Sequence, residues 1–335
     1  MLGNIRRFFR SVPRPPRRAG PIGGASALKL GLALSSGGAS GLAHIGVLQV
    51  LEENKIEIHA IAGASMGAYV GALWAAGFSG KALEALAAEI NDRRQLWKLA
   101  DLNFPPMKGL FQGRKARAHL ERSLGDLRFE DLERCLLVVT VDLDTKERLV
   151  LRHGKIAEAV HASCAMPGIV APVMIDGRRC VDGGVIDPLP VGALQKFAAV
   201  DRVLAVSVIP TFADVEEGLC RRDVGPPIAW WRHVGATLNG NLNLFARGNV
   251  VDTFRQSIRA AQIRLAHGSC KRADYCLHPE YIPAPWHDYP GFRRFIDAGR
   301  QVAIDHLDEI RTMLQPERHD HEIPLFQRLV GHDVA

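Results

Sequence analysis

Ser65 is the side chain best placed to do chemistry, because it lies at the centre of Gly63-Ala64-Ser65-Met66-Gly67, a GxSxG pattern. An apolar run precedes the pattern and a small-residue helical run follows it. Glycines at both ends allow a sharp turn from strand to helix, which stands the hydroxyl at the helix N-terminus, where free N–H groups and the helix dipole favour developing negative charge. Small residues also occur wherever a helix packs tightly on a sheet, so packing alone is the competing reading.

An attacking serine needs donors for the oxyanion it creates. Ser36-Gly37-Gly38-Ala39-Ser40-Gly41 supplies a glycine-rich turn at the end of another apolar run. Each correctly aimed N–H is worth about 2.7 to 4 kcal/mol in the transition state. A dinucleotide-binding turn is the alternative for such a loop. It fits poorly, because Ser36 breaks GxGxxG and the next strand ends in Gly-Ala-Ser where an acidic ribose ligand belongs.

The serine also needs a base, and Asp182-Gly183-Gly184 follows the apolar stretch Arg179 to Val181. Apolar neighbours raise a carboxylate's basicity. Taken alone, Asp-Gly-Gly is also a common turn. Asp187, before Pro188, reads as a brace for the same loop. His44 beside the glycine loop reads as a buried structural histidine; His233 and His267 follow Asp182 in the order a Ser-Asp-His triad needs, without a motif around either.

The elements that must position these residues are legible in outline. Strands are expected at Leu28 to Ser36, Ile56 to Ala62, Cys135 to Leu143, Arg148 to Arg152, Pro172 to Ile175, Arg179 to Val181, Val203 to Ile209 and Tyr275 to Leu277. Helices are expected at Ala39 to Asn54, Ala68 to Ala76, Gly80 to Asn91, Arg114 to Ser123, Lys155 to Ser163, Asn249 to Ala266 and Phe292 to Leu314. The opening βαβα order favours a parallel sheet with helices packed on it. Ala60 to Phe78 is 19 residues without a charge, with Gly63, Gly67 and Gly71 at GxxxG spacing, yet its richness in Ala and Gly divides it into strand, turn and buried helix rather than a membrane span.

The whole chain resembles an ordinary globular protein: 335 residues, 47% hydrophobic and 23% charged. Its net charge of +6 is uneven. Residues 1 to 51 carry seven basic and no acidic side chains, leaving −1 for the remainder (6 − 7). Basicity therefore belongs to a tail, read as a solvated extension that can meet anionic lipid, with no nucleic-acid partner expected. No secretory h-region is present, so a cytoplasmic protein is expected, one for which peripheral membrane contact is physically possible. Six scattered cysteines then read as reduced thiols. Cys270, Cys276 and His278 show neither CxxC nor paired-His spacing, so no metal is expected there.

Four segments in order resemble the patatin-like phospholipases, especially their compact bacterial members: LALSSGGASGLAHIGVL at 32–48, GASMG at 63–67, SCAMPGIVAPV at 163–173 and VDGGVIDPLP at 181–190. The resemblance covers roughly residues 28–210. It implies a three-layer α/β/α fold with a mainly parallel central sheet, and a Ser-Asp dyad in place of a triad. Ser65 would attack the ester carbonyl, Asp182 would take its proton and later activate water, and N–H groups of Gly37, Gly38 and Ala39 would hold the oxyanion. Gly41, Gly63, Gly67, Gly183 and Gly184 would support the three motifs, and neither cofactor nor metal would be required. The family usually has glycine at position 36 and arginine at position 40. Ser36 and Ser40 therefore leave a second expectation open, a weakly active or inactive lipid-binding protein on the same scaffold.

The expected organisation is a basic tail (1–27), a patatin-like catalytic domain (28–210), an irregular lid or cover (211–247) and a C-terminal helical part packed on the same domain (248–335). Phe8-Phe9, Phe104 to Phe111, and Trp230-Trp231 with Leu242, Leu244 and Phe245 are the apolar groups available for lipid contact.

Overall fold

The computed structural model describes residues 28–89, 101, 111–218 and 250–315. The tail, the Trp230-Trp231 segment, Cys220 and His233 lie outside the described residues, as does most of Phe104 to Phe111.

Eight strands form one mixed sheet flanked by helices: β1 Leu30–Leu34, β2 Ile58–Ala64, β3 Cys135–Asp142, β4 Arg148–Leu151, β5 Val173–Ile175, β6 Arg178–Asp182, β7 Arg202–Val206 and β8 Tyr275–Leu277. The order is β5-β6-β3-β2-β1-β7-β8, with β4 also paired to β3. The pairs from β3 through β2, β1 and β7 to β8 are all parallel, whereas β4, β5 and β6 pair antiparallel. The helices used below are α1 Ala43–Glu53, α2 Met66–Ala75, α3 Gly80–Glu89, α4 Arg114–Leu124, α5 Ile156–Ser163, α6 Val191–Phe197, α7 Phe212–Glu216, α8 Val250–Cys270, α9 Phe292–Asp305 and α10 Leu307–Met313.

The central strands are apolar along their whole length because both faces are covered. Leu30, Leu32 and Leu34 of β1 join one core cluster with residues of α1, α2 and α9. Ala33, Ala60, Ala62 and Ala64 face a second cluster containing Leu189, Leu194 and Ala266. Alternation of large and small side chains along β1 thus sends bulk to one layer and close packing to the other. The uncharged run from Ala60 to Phe78 divides as expected into β2, a turn at Ser65 and α2. Among the described residues no helix is long and apolar enough to cross a membrane.

Three details depart from the sequence expectations. The final helix is two pieces, broken at His306, whose ring meets the Tyr275 hydroxyl at 2.8 Å. Helix α6 was not anticipated, since its seven residues follow Pro188-Leu189-Pro190 and bury Val191, Ala193 and Leu194 with too little length to show a period. Among the cysteines, Cys135, Cys164 and Cys180 are free, but Cys270 and Cys276 form a disulfide with Cα atoms 5.5 Å apart. A chain reversal between α8 and β8 brings these two together, which sequence separation alone does not reveal.

Candidate active site

The register of β3 brings Ser65 and Asp182 to one place. Val139 of β3 is paired with Ala64, the last residue of β2, and the next residue, Thr140, is paired with Asp182, the last residue of β6. Both Val139 and Thr140 also pair with β4 on the other edge of β3, so β2 and β6 share the remaining edge. Strand β6 runs antiparallel to β3 and takes over where β2 stops. Two strands therefore end facing each other.

Ser65 occupies the turn from β2 into α2 with φ 53° and ψ −120°, a strained backbone for a residue carrying a Cβ. Gly67 makes that turn possible by bringing α2 against the backbone of Leu34 and Ser35, where any Cβ would collide with main-chain oxygen. The hydroxyl donates to Asp182 Oδ2 at 2.6 Å. The other carboxylate oxygen, Oδ1, accepts from the Gly184 N–H at 2.7 Å. Asp182 is 5% exposed, and burial pushes its carboxyl up to about 6 against the opposing pull of the Ser65 and Gly184 donors.

The glycine loop follows β1 and enters α1 through a tight helical turn, Gly38–Leu42, which contains Gly41. Its backbone is anchored by Ser35 N–H to Val206 O at 3.1 Å and Ser36 N–H to Pro188 O at 2.8 Å. Gly38 has φ 59°, in the left-handed region. Of the three sequence-expected donors, Ala39 is already used: its N–H donates to Trp286 O at 2.8 Å. That partner comes from a loop before α9, far along the chain, and nothing near Ala39 announces it. Gly37 and Gly38 are the other two expected donors, and Gly38 lines the cavity described below.

Gly183 and Gly184 form the turn after β6, and Gly63 lies near the end of β2. Asp187 braces this region through Arg148 of β4 at 2.6 Å. His44 is fully buried with Nε2 2.8 Å from Ser35 O, and burial pushes its pKa down to about 4 despite that bond. It is a structural residue of the loop. His267 stacks edge-on against Phe212 at 4.9 Å, and both Asp182 oxygens are already held by Ser65 and Gly184. Ser36 buries its hydroxyl without a hydrogen-bond partner, against Gly184.

Two positioning residues escaped the sequence reading. Ser163, at the end of α5, accepts from the Ser65 N–H at 2.9 Å and donates to Val139 O at 2.7 Å, so it fixes the serine turn to β3. Its position at the head of SCAMPG was visible, its partners were not. Gln262 of α8 donates to Gly184 O at 3.0 Å and holds the aspartate turn from outside. Ser163→Ala strands a buried N–H and a buried carbonyl; the expected result is a loss of about 1 to 3 kcal/mol of stability, measured by urea denaturation.

A cavity of about 630 Å³ opens over this pair. Ser65, Asp182 and Gly38 share its largely apolar wall with Leu42, Ile45, Val70, Leu73, Leu83 and Leu86. The volume is that of a small-molecule site. Phe111, the described end of one expected lipid-contact segment, also lines it. Beside them lies His161, 7% exposed with neither ring nitrogen partnered.

An eight-stranded mixed sheet between helix layers, with a serine elbow and an aspartate turn meeting at its strand ends, defines an α/β protein with a half-buried serine hydrogen-bonded to a buried aspartate. Residues 32–194 match the family model of the patatin-like phospholipases. The chain is 36% identical over 189 residues to an uncharacterized NTE family protein of Mycobacterium tuberculosis, covering 56% of this chain and 51% of that protein. It is 28% identical over 296 residues to the neuropathy target esterase sws of Drosophila melanogaster, covering 85% of this chain and 19% of that one. The chain thus spans about half the length of the mycobacterial relative or less of other curated relatives. VipD from Legionella pneumophila matches with a TM-score of 0.44 and 16% identity, over 85% of this chain and 67% of that one.

Proposed function

We propose that this chain is a serine acyl hydrolase that cleaves carboxylic ester bonds of lipids through Ser65 and Asp182. The observation that carries the reading is the 2.6 Å contact between the Ser65 hydroxyl and the buried Asp182 carboxylate, on the wall of a cavity whose lining is rich in aliphatic side chains. The patatin-like phospholipase domain and a relative named as an esterase support the same chemistry.

Ser65 Oγ attacks the ester carbonyl while its proton passes to Asp182 Oδ2. The Gly37 and Gly38 N–H groups receive the oxyanion. Ala39 leaves the set of donors because Trp286 O occupies its N–H. As the tetrahedral intermediate collapses, the leaving alkoxide takes the proton from Asp182 and departs as the alcohol. Water then gives a proton to the same carboxylate and attacks the acyl-Ser65 carbonyl; as that intermediate collapses, the bond to Ser65 Oγ breaks, Asp182 returns the proton to Oγ, and the carboxylic acid is released. The acyl chain lies against Leu42, Val70, Leu73 and Leu83, whose burial by substrate excludes water from the reacting atoms.

Proton acceptance requires ionised Asp182. For an uncharged ester, kcat/KM is expected to rise with pH and reach half its plateau near pH 6, the value to which burial lifts this carboxyl. A profile flat from pH 4 to pH 8 (about two units on either side of that value) would remove Asp182 from the proton's path. The reading as a whole is tested by incubating the full chain with p-nitrophenyl esters and with phospholipid vesicles. Release of nitrophenol and of fatty acid is the expected result; failure to cleave either would leave only a binding scaffold.

A further inference from the structure

Away from the cavity, the reversal between α8 and β8 gathers four side chains with zinc-ligand chemistry. His267 and Cys270 are three residues apart near the end of α8 and so share a helix face. Cys276 and His278 are two residues apart along the edge strand β8 and its continuation, with Leu277 between them buried at 1% exposure. Alternation sends the side chains at 276 and 278 to the side opposite Leu277. The pattern is HxxC followed by CxH, one pair from a helix and one from a strand. Neither half has the spacing that the sequence reading required of a metal site.

The donors converge. One ligand atom from each of Cys270, Cys276 and His278 lies within 4.8 Å of the others. His278 Nε2 is 3.5 Å from Cys270 Sγ. Tetrahedral zinc with bonds of about 2.0 to 2.3 Å places neighbouring ligand atoms about 3.3 to 3.8 Å apart. His267, now edge-on to Phe212, is one helical turn from Cys270 and completes a set of four on turning its ring from that contact. The nearby Asp214 carboxylate is engaged by the Thr211 N–H and hydroxyl, both at 2.7 Å, and adds negative charge beside the set without joining it.

We propose that Cys270, Cys276, His278 and His267 form a structural zinc site in the reduced protein, in exchange with the Cys270–Cys276 disulfide. A disulfide uses two of the four donors and leaves the His278 imidazole beside Cys270 Sγ, with His267 one helical turn away. Reduction by a dithiol breaks the S–S bond with two electrons and two protons, and the reductant leaves as its own disulfide. Zinc then displaces one proton from each thiol. Either state clips the end of α8 to β8, and α8 is the helix whose Gln262 holds the Gly184 turn.

The test is to purify the full chain under a thiol reductant, equilibrate it with zinc sulfate, remove free metal and measure bound zinc by mass spectrometry. About one zinc per chain is expected. Cobalt in its place should give the thiolate charge-transfer absorption and intense visible bands of a tetrahedral sulfur-ligated site. Cys276→Ser should lose both signals. His278→Ala and His267→Ala should each weaken zinc binding about a hundredfold or more while keeping the thiolate absorption. Should a cysteine variant misfold, oxidising the wild-type protein with a disulfide reagent must release the zinc, and reduction must restore it. Reduced, folded protein with both thiols titratable and no bound zinc would overturn the proposal. So would zinc retained by the Cys270→Ser/Cys276→Ser double variant.

Discussion

Ser65→Ala abolishes ester hydrolysis, with kcat expected to fall by at least about 10⁴-fold while the fold is kept. Nothing else in the described cavity can form the acyl intermediate in its place. Cys164, the nearest other nucleophile, donates to the Ser65 carbonyl, and burial holds its thiol well above the usual range. Alanine keeps the small volume at the turn and leaves the backbone at φ 53°, so the strain stored there is unchanged. What disappears is the hydroxyl and its hydrogen bond to Asp182. Circular dichroism and a urea titration would show an intact fold; steady-state hydrolysis of a p-nitrophenyl ester would show the loss.

Asp182→Asn has the second largest expected effect, and it acts in opposite directions on activity and stability. An amide cannot accept the Ser65 proton, so kcat falls by about 10² to 10⁴-fold, the usual worth of a general base. The sign of the stability change follows from the carboxyl's position. Burial lifts its pKa from the ordinary 3.8 to about 6, so the folded state binds protons more tightly than the unfolded chain. Stability therefore declines as pH rises through the window between those two values, by about 3 kcal/mol in total. Asparagine removes that penalty while retaining an oxygen for the Gly184 N–H. The variant should unfold at higher urea than wild type at pH 7.5 (about 1.5 units above that pKa) and show little difference at pH 4. A variant less stable than wild type at the higher pH would mean that the charged carboxylate is a net stabiliser.

The sheet was legible because its strands are short apolar runs ended by glycine or polar turns, and each of the eight expected strands overlaps an observed one. Helix α6 was not, since seven residues are too few to display a period. Among the candidate site residues, Ser65 and Asp182 stood out because their motifs constrain the backbone locally. Their approach depends on β3 pairing with both β2 and β6 along one edge, a long-range register that local pattern does not encode. The same limit explains Ala39, whose amide is claimed by Trp286, and Ser163 and Gln262, which act through main-chain atoms distant in sequence. It also explains the cysteines. Cys270 and Cys276 look unpaired until the turn between α8 and β8 folds them together.

The central claim is that Ser65 is an activated nucleophile, and covalent capture tests it most directly. The full chain is treated with a fluorophosphonate, digested, and the modified peptide is sequenced by mass spectrometry. A single phosphonylated residue, Ser65, is expected, formed much more slowly in Asp182→Asn. Modification confined to another residue, or a Ser65 that stays unlabelled in protein actively cleaving esters, would contradict it.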